Sequence, residues 1–201
     1  MTAVQAIETQ YAGCRFRSRL EARWGVFFDH LGINWQYEPQ GYVIDGRPYL
    51  PDFLLTDCGT WVEVKGAEAE LDHALMLAAA GQLPEMGVAR EAGPRLLILG
   101  PIPEPPQAGD LGWIGLDVID GYWDDDPDER IVVDRWWGFG LYHKNLRPWV
   151  LCNTSRATPV DYPGDRWLEP TGDCDDVPPK LASAYRAARS ARFEHGESGG
   201  R

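Results

Sequence analysis

Cysteine, lysine and positive charge are scarce in this sequence of 201 residues. The four cysteines are widely separated and form no C-x-x-C pair, which argues against a zinc ribbon and is typical of a reducing cytosol. No apolar run reaches membrane-spanning length, and the first residues lack the basic and apolar segments of a secretory signal. We therefore expect a cytoplasmic protein that has no membrane partner.

The deficit of positive charge is concentrated in one segment. The net charge is −12, and residues 104–134 contribute −9 of it, with 10 acidic residues and 1 basic residue. Residues 1–103 carry 13 acidic and 8 basic residues, whereas residues 135–201 carry 8 acidic and 10 basic ones. A strongly acidic protein is a poor general binder of nucleic acid, but this distribution leaves room for a local basic surface elsewhere.

The first hundred residues alternate between helical and strand patterns. Apolar residues at helical spacing predict a helix over residues 16–31, with Gly32 as its stop. Strands are predicted at 33–39, 41–44, 47–55 and 60–65, with Asp45-Gly46 as a hairpin turn. A helix over residues 68–81 and a buried strand over 95–100, parallel to its neighbour, follow. This order predicts an α/β domain with a mixed central sheet over residues 1–103.

The second half of the chain is less regular. Residues 101–110 contain four prolines and are predicted to be a linker. Strands at 113–119 and 131–137 and a helix at 178–194 are predicted beyond it. We interpret residues 104–201 as a tryptophan-rich C-terminal extension of unknown role that packs on the first domain.

Three charged residues, Asp52, Glu63 and Lys65, follow a pattern that favours a catalytic site. Glu63 and Lys65 share one face of an otherwise apolar strand, since strand side chains alternate. Lys65 is one of only three lysines, whereas the sequence has sixteen arginines. At this position the chain therefore has a compact cation whose pKa can shift, instead of its commoner cation, arginine. Asp52 and Glu63 on adjacent strands could hold Mg²⁺ or Mn²⁺, with the Val64 carbonyl as a further oxygen ligand. Lys65 could then position or help deprotonate a water, or stabilise charge on a phosphate.

The segment Pro51-Asp52, followed after ten residues by Glu63-Val64-Lys65, resembles the signature of the PD-(D/E)XK nuclease superfamily. The resemblance covers residues 1–103 and implies a restriction-endonuclease-like αβββαβ core that hydrolyses phosphodiester bonds with Mg²⁺ or Mn²⁺. It implies Asp52 and Glu63 as metal ligands and Lys65 as the catalytic lysine. Members often add a glutamate on the first helix, and Glu21 matches that position by order and context. The implied partner is nucleic acid, with DNA the expected polymer; a homodimer or a partner subunit that supplies targeting stays open.

Arginines surround Glu21 and form a candidate nucleic-acid contact. The four are Arg15, Arg17, Arg19 and Arg23. We predict that they contact phosphate because they neighbour the candidate site. The alternative is a solvated helix face on which Arg17 pairs with Glu21 at a spacing of four residues.

Other interpretations stay open beside the nuclease. Asp52 after a proline is also typical of a turn, and Glu63 with Lys65 is also typical of a solvent-facing pair on an edge strand. A second hypothesis is a non-catalytic nucleic-acid-binding or assembly module that retains the fold, which the net charge of −12 favours and the intact charged triad disfavours. A third is an acidic adaptor that binds protein through its tryptophan-rich second half.

Overall fold

The computed structural model describes residues 7–86, 94–102, 114–118, 131–134, 137–140, 150–153 and 179–193. Its helices are α1 (Arg19–Leu31), α2 (His73–Gln82) and α3 (Pro179–Ser190). Its strands are β1 (Thr9–Tyr11), β2 (Cys14–Phe16), β3 (Trp35–Tyr37), β4 (Tyr42–Ile44), β5 (Arg47–Tyr49), β6 (Phe53–Leu55), β7 (Thr60–Val64), β8 (Leu96–Leu99), β9 (Ile114–Val118), β10 (Ile131–Asp134), β11 (Trp137–Gly140) and β12 (Val150–Asn153). The predicted linker lies outside the described residues from residue 103 onward.

Helix α1 begins at a side-chain cap and ends at a glycine. The Ser18 Oγ accepts a hydrogen bond from the Glu21 N–H at 3.2 Å, and the Glu21 carboxylate reaches back to the Arg17 N–H at 3.1 Å. Gly32 ends the helix with a φ of 79°, a left-handed conformation that glycine adopts without strain. The helix starts later than predicted because this cap fixes its first turn, and the residues before it pair as the hairpin β1–β2.

A six-stranded sheet forms the centre of the fold, in the order β10-β9-β8-β7-β6-β3. Strands β7 and β8 are parallel, as predicted, and are connected through α2, whereas every other neighbouring pair is antiparallel. The mixed α/β class with a mixed sheet is therefore confirmed. Strands β9 and β10 come from the second half of the chain, so backbone pairing joins that half directly to β8.

The predicted strand over residues 47–55 is wrong in its continuity. Strand β5 ends at Tyr49, and β6 begins at Phe53. Pro51 lies between them and has no N–H to donate to a neighbouring strand. Strands β4 and β5 form a separate hairpin, in which Asp45 and Gly46 both have positive φ, as the predicted tight turn requires.

The helix predicted over residues 68–81 is also divided. A 3₁₀ turn at Glu68–Glu70 comes first, and α2 then starts after Asp72, whose carboxylate accepts the Leu75 N–H at 3.1 Å. An aspartate cap of this kind restarts the helix at residue 73. No helix among the residues described above is long and apolar enough to cross a membrane.

The central sheet has a buried cluster on each face. We call the side covered by α1 and α3 the α1 face; its largest fully buried side chains are Phe16, Trp24, Phe27, Phe28, Phe53 and Tyr185. The rings of Phe27 on α1 and Tyr185 on α3 lie 4.7 Å apart between centroids, which ties the C-terminal helix to the first. We call the other side, covered by α2 and the hairpin β4–β5, the α2 face; its buried residues are Ile44, Tyr49, Leu54, Trp61, Met76, Ala79, Ala80, Leu83, Leu96 and Ile98.

Candidate active site

A cleft of about 690 Å³ opens at the end of the α2 face, between the hairpin β4–β5 and α2. Its charged lining residues are Arg17, Glu21, Asp52, Glu63, Lys65, Glu70 and Asp72. Extending the β6–β7 register by one residue places Asp52 opposite Glu63, and such pairs are close neighbours. The structure therefore brings the candidate residues Glu21, Asp52, Glu63, Val64 and Lys65 together in one cleft.

Asp52 is buried, with 3% of its surface exposed, and both of its oxygens are engaged. Its Oδ2 accepts the Val64 N–H at 2.6 Å, and its Oδ1 accepts Arg17 Nη2 at 2.6 Å. Burial, followed by the negative charges of Glu63 and Glu21, raises the pKa of Asp52 to about 8 despite these two donors. The carboxyl group is therefore held in a site that disfavours its own negative charge.

Glu63 is fixed between a tyrosine and the candidate catalytic lysine. Its Oε2 accepts the Tyr49 hydroxyl at 2.9 Å, and its Oε1 lies 2.6 Å from Lys65 Nζ. Burial and the charge of Glu63 raise the pKa of Tyr49, so its hydroxyl stays a donor. Burial alone would favour a neutral Lys65, but the charge of Glu63 and its hydrogen bond outweigh it and raise the pKa of Lys65. In this state Lys65 is an ammonium, suited to stabilise charge rather than to accept a proton.

Glu21 lines the same cleft but is engaged by three donors. Its Oε2 accepts the Tyr37 hydroxyl at 2.6 Å and the Arg17 N–H at 3.1 Å, and its Oε1 accepts Ser18 Oγ at 2.7 Å. Two of these contacts belong to the start of α1. Glu21 thus has a structural task in capping the helix, and its catalytic assistance stays a prediction.

The four candidate phosphate-binding arginines do not form one strip around the cleft. Arg17 is the one among them that lines it, where it bridges Asp52 and Glu38, with its Nε 2.5 Å from Glu38 Oε1. Arg15 lies on β2 in an exposed ion pair with Glu8. Arg19 is exposed on the first turn of α1, and Arg23 is half-buried on the same helix. The predicted phosphate contacts of the other three therefore concern a surface outside the cleft.

The carboxylate pair fits a hard divalent cation. Asp52 and Glu63 each have one oxygen fixed by a neutral donor of the fold, the Val64 N–H or the Tyr49 hydroxyl. The other oxygen of each faces a cationic side chain that is partly exposed, at 55% for Arg17 and 32% for Lys65. Moving those two side chains would release one oxygen from each carboxylate and leave the fixed oxygens in place.

Within the described ranges, no group of three or more His, Cys, Asp or Glu residues is placed to hold a metal ion. Two carboxylates suit Mg²⁺, which keeps several waters and takes substrate phosphate as a further ligand, and they do not suit a four-ligand zinc site. The Val64 N–H donates to Asp52, and the role predicted for the Val64 carbonyl stays a prediction.

The sequence patterns did not reveal the tyrosines that hold the carboxylates. Tyr49 and Tyr37 lie on short strands, and each donates to a glutamate that is distant in sequence. The available signal was that a buried tyrosine hydroxyl needs a hydrogen-bond acceptor, but this rule does not identify the acceptor residue.

Comparison with protein-family models, with curated proteins and with solved structures found no match. Function is therefore inferred from the site itself.

Proposed function

We propose that this protein is a metal-dependent nuclease of the PD-(D/E)XK type that hydrolyses phosphodiester bonds, with DNA as the expected substrate. The observation that carries the proposal is the meeting of Asp52, Glu63 and Lys65 in one open cleft. The order α1, β3, β6, β7, α2, β8 supports it, because three antiparallel strands followed by a helix and a parallel strand follow the αβββαβ pattern of that superfamily.

Asp52 and Glu63 would hold Mg²⁺ or Mn²⁺ through the two oxygens that now face Arg17 and Lys65. When bound, the ion supplies a polarised phosphate and a water of lowered pKa. The Val64 N–H and the Tyr49 hydroxyl keep each carboxylate in one orientation, which limits the reorganisation needed at the moment of reaction. Lys65, an ammonium in the metal-free site, would be released from Glu63 by the ion and would then stabilise the negative charge that develops on the phosphate.

The proposal is tested by cleavage of linear, circular, single-stranded, nicked and branched DNA, and of RNA, with Mg²⁺ or Mn²⁺. We expect Lys65→Ala to lower the rate by about 100-fold or more, because it removes one charge-stabilising group. Asp52→Ala should abolish cleavage. Lys180→Ala is the matched control, since Lys180 Nζ donates to the Leu31 carbonyl, away from the cleft. A wild-type protein that cleaves none of these substrates would overturn the proposal.

One observation favours a second candidate, a non-catalytic nucleic-acid-binding module. Both oxygens available to an ion are already neutralised by cations of the chain itself, Arg17 and Lys65. A site that needs no ion would show this pairing as its resting state. Metal-independent binding of DNA in a gel shift, without cleavage under any divalent cation, would favour this second candidate over the nuclease.

A further inference from the structure

The cleft is lined by apolar side chains as well as by acidic ones, and we call the apolar part of the lining the apolar wall. Residues of the hairpin and of the segment after it form one part of the wall, and α2 forms the other. The apolar wall consists of Tyr42, Pro48, Leu50, Leu75 and Met76. The Tyr42 ring is held edge-on against Trp61, with centroids 5.5 Å apart and an interplanar angle of 80°. The cleft thus places a fixed aromatic ring and aliphatic side chains beside the candidate reaction site.

The charge of the cleft does not suit a double helix. Among the described residues that line it, five are acidic and two are cationic, and both cations are paired with acidic side chains. Affinity for duplex DNA comes mainly from phosphates neutralised by Lys and Arg, which this lining does not offer. A single strand carries half the phosphate charge of a duplex per unit length, and its unpaired bases add affinity by stacking on aromatic side chains.

We propose that the cleft takes single-stranded nucleic acid, with one unpaired base against the apolar wall beside Tyr42 and the adjoining phosphate at Asp52 and Glu63. This inference rests on the proposed nuclease function and names its substrate class. The volume of about 690 Å³ lies within the range of pockets that bury a small organic group, and the apolar wall supplies the surface that a base needs.

The first experiment measures binding with the wild-type protein alone. The probes are a fluorescent single-stranded DNA oligonucleotide, the same strand in a duplex, and the same strand with abasic sites. Each is measured in Ca²⁺ instead of Mg²⁺, so that binding is observed without cleavage. Fluorescence anisotropy should show the single strand bound more tightly than the duplex. Loss of the bases should weaken binding by between about 5-fold and 150-fold, which is the range that stacking of one base contributes. This comparison needs no variant and does not depend on the folding of any.

The second experiment assigns the effect to the apolar wall. Tyr42→Ala should weaken single-strand binding, whereas Tyr42→Phe, which keeps the ring, should bind like the wild type. The matched control is Val43→Ala on the same strand, because the neighbouring side chain points to the opposite side and is 71% exposed. Circular dichroism establishes that each variant is folded.

Failure of this inference is distinguishable from failure of the proposed function. Lys65-dependent cleavage with equal or tighter binding of the duplex, or with abasic and normal strands bound alike, would overturn the single-strand inference and leave the nuclease intact. Absence of cleavage on every substrate would overturn the nuclease. In that case Tyr42-dependent binding of the single strand would still support the cleft as its binding site, and equal binding of all three probes would overturn both.

Discussion

Among the residues whose burial is described, β6 and β7 contribute to a cluster of 18 on the α1 face, which two helices close. On the α2 face, the same two strands contribute to a cluster of 10. Side chains of one strand are divided between the two faces. Val62 and Val64 pack on the α1 face, and Glu63 between them belongs to the candidate site. Because alternate residues of a strand point to opposite faces, one strand can serve a closed core and an open cleft together.

The difference shows how the fold tolerates a costly site. Asp52, Glu63 and Glu21 are all buried, and their mutual repulsion is one reason why the pKa of Asp52 is raised. Buried like charges destabilise a fold unless other interactions offset them. The α1 face supplies large fully buried aromatic side chains, and the rings of Phe53 and Phe28 meet edge-on at 5.4 Å. We infer that the packing of one face offsets the electrostatic cost of the other.

The largest expected effect is on stability, at Phe53 on the α1 face. Phe53→Ala removes a side chain that is 0% exposed and contacts the rings of Phe16, Phe28, Trp35 and Tyr37. We expect the free energy of unfolding to fall by about 3–5 kcal/mol, through lost burial and the cavity left behind. Chemical denaturation monitored by tryptophan fluorescence measures this change.

The control for Phe53 is an apolar truncation on the other side of the sheet. Leu77→Ala on α2 shortens a side chain that is 37% exposed, and we expect a change of no more than about 0.5 kcal/mol. If the two variants were destabilised alike, burial of the Phe53 side chain in the α1-face cluster would not be the source of its effect.

The next effect concerns metal affinity at the α2 face. Tyr49→Phe removes the hydroxyl that fixes Glu63, and we expect Mg²⁺ binding to weaken by about 10- to 100-fold, as losses of ligand-orienting hydrogen bonds do. Isothermal titration calorimetry with Mg²⁺ measures this without any cleavage assay. The matched control is Tyr37→Phe, because Glu21 keeps the Ser18 hydroxyl and the Arg17 N–H as donors. Equal losses in the two variants would contradict a specific role for Tyr49.

Local signals in the sequence predicted the parts of the fold that local interactions determine. Gly32 follows the last apolar position of the helix, so the end of α1 was predicted from a short-range rule. The predicted start at residue 16 was wrong, although Ser18, three residues before Glu21, is a local capping signal. The shared face of Glu63 and Lys65 follows from strand alternation alone, and their ion pair at 2.6 Å agrees with it. The candidate site could be predicted from the sequence because strand alternation places Glu63 and Lys65 on one face.

The remaining features depend on contacts between distant residues. Arg17 pairs with Asp52 across 35 positions, and Tyr49 reaches Glu63 across 14, and no spacing rule links such partners. The pairing of β9 with β8 is another long-range choice, which alternation within either strand does not specify. Division of the predicted strand 47–55 had a local signal in Pro51, but the apolar residues at 49–50 and 53–55 favoured one continuous strand.

The smallest expected effect is a pH dependence of metal binding, and it tests whether Asp52 is the group that an ion must deprotonate. The folded-state pKa of Asp52 is raised from its ordinary value of 3.8 to about 8. The protonated carboxyl therefore favours the metal-free fold at low pH, and that contribution is lost as pH rises toward about 8. Mg²⁺ needs the ionised carboxylate, so its affinity should rise by up to about tenfold between about pH 7 and pH 8. Thermal melts with and without Mg²⁺ across this pH range measure the effect, and we expect a stabilisation by Mg²⁺ that grows as pH rises.

The control is Asp52→Asn, which keeps the shape of the side chain but cannot ionise. This variant should bind Mg²⁺ weakly and lose the pH dependence. The same pH dependence in both proteins would assign the proton to another group and remove Asp52 from the metal site.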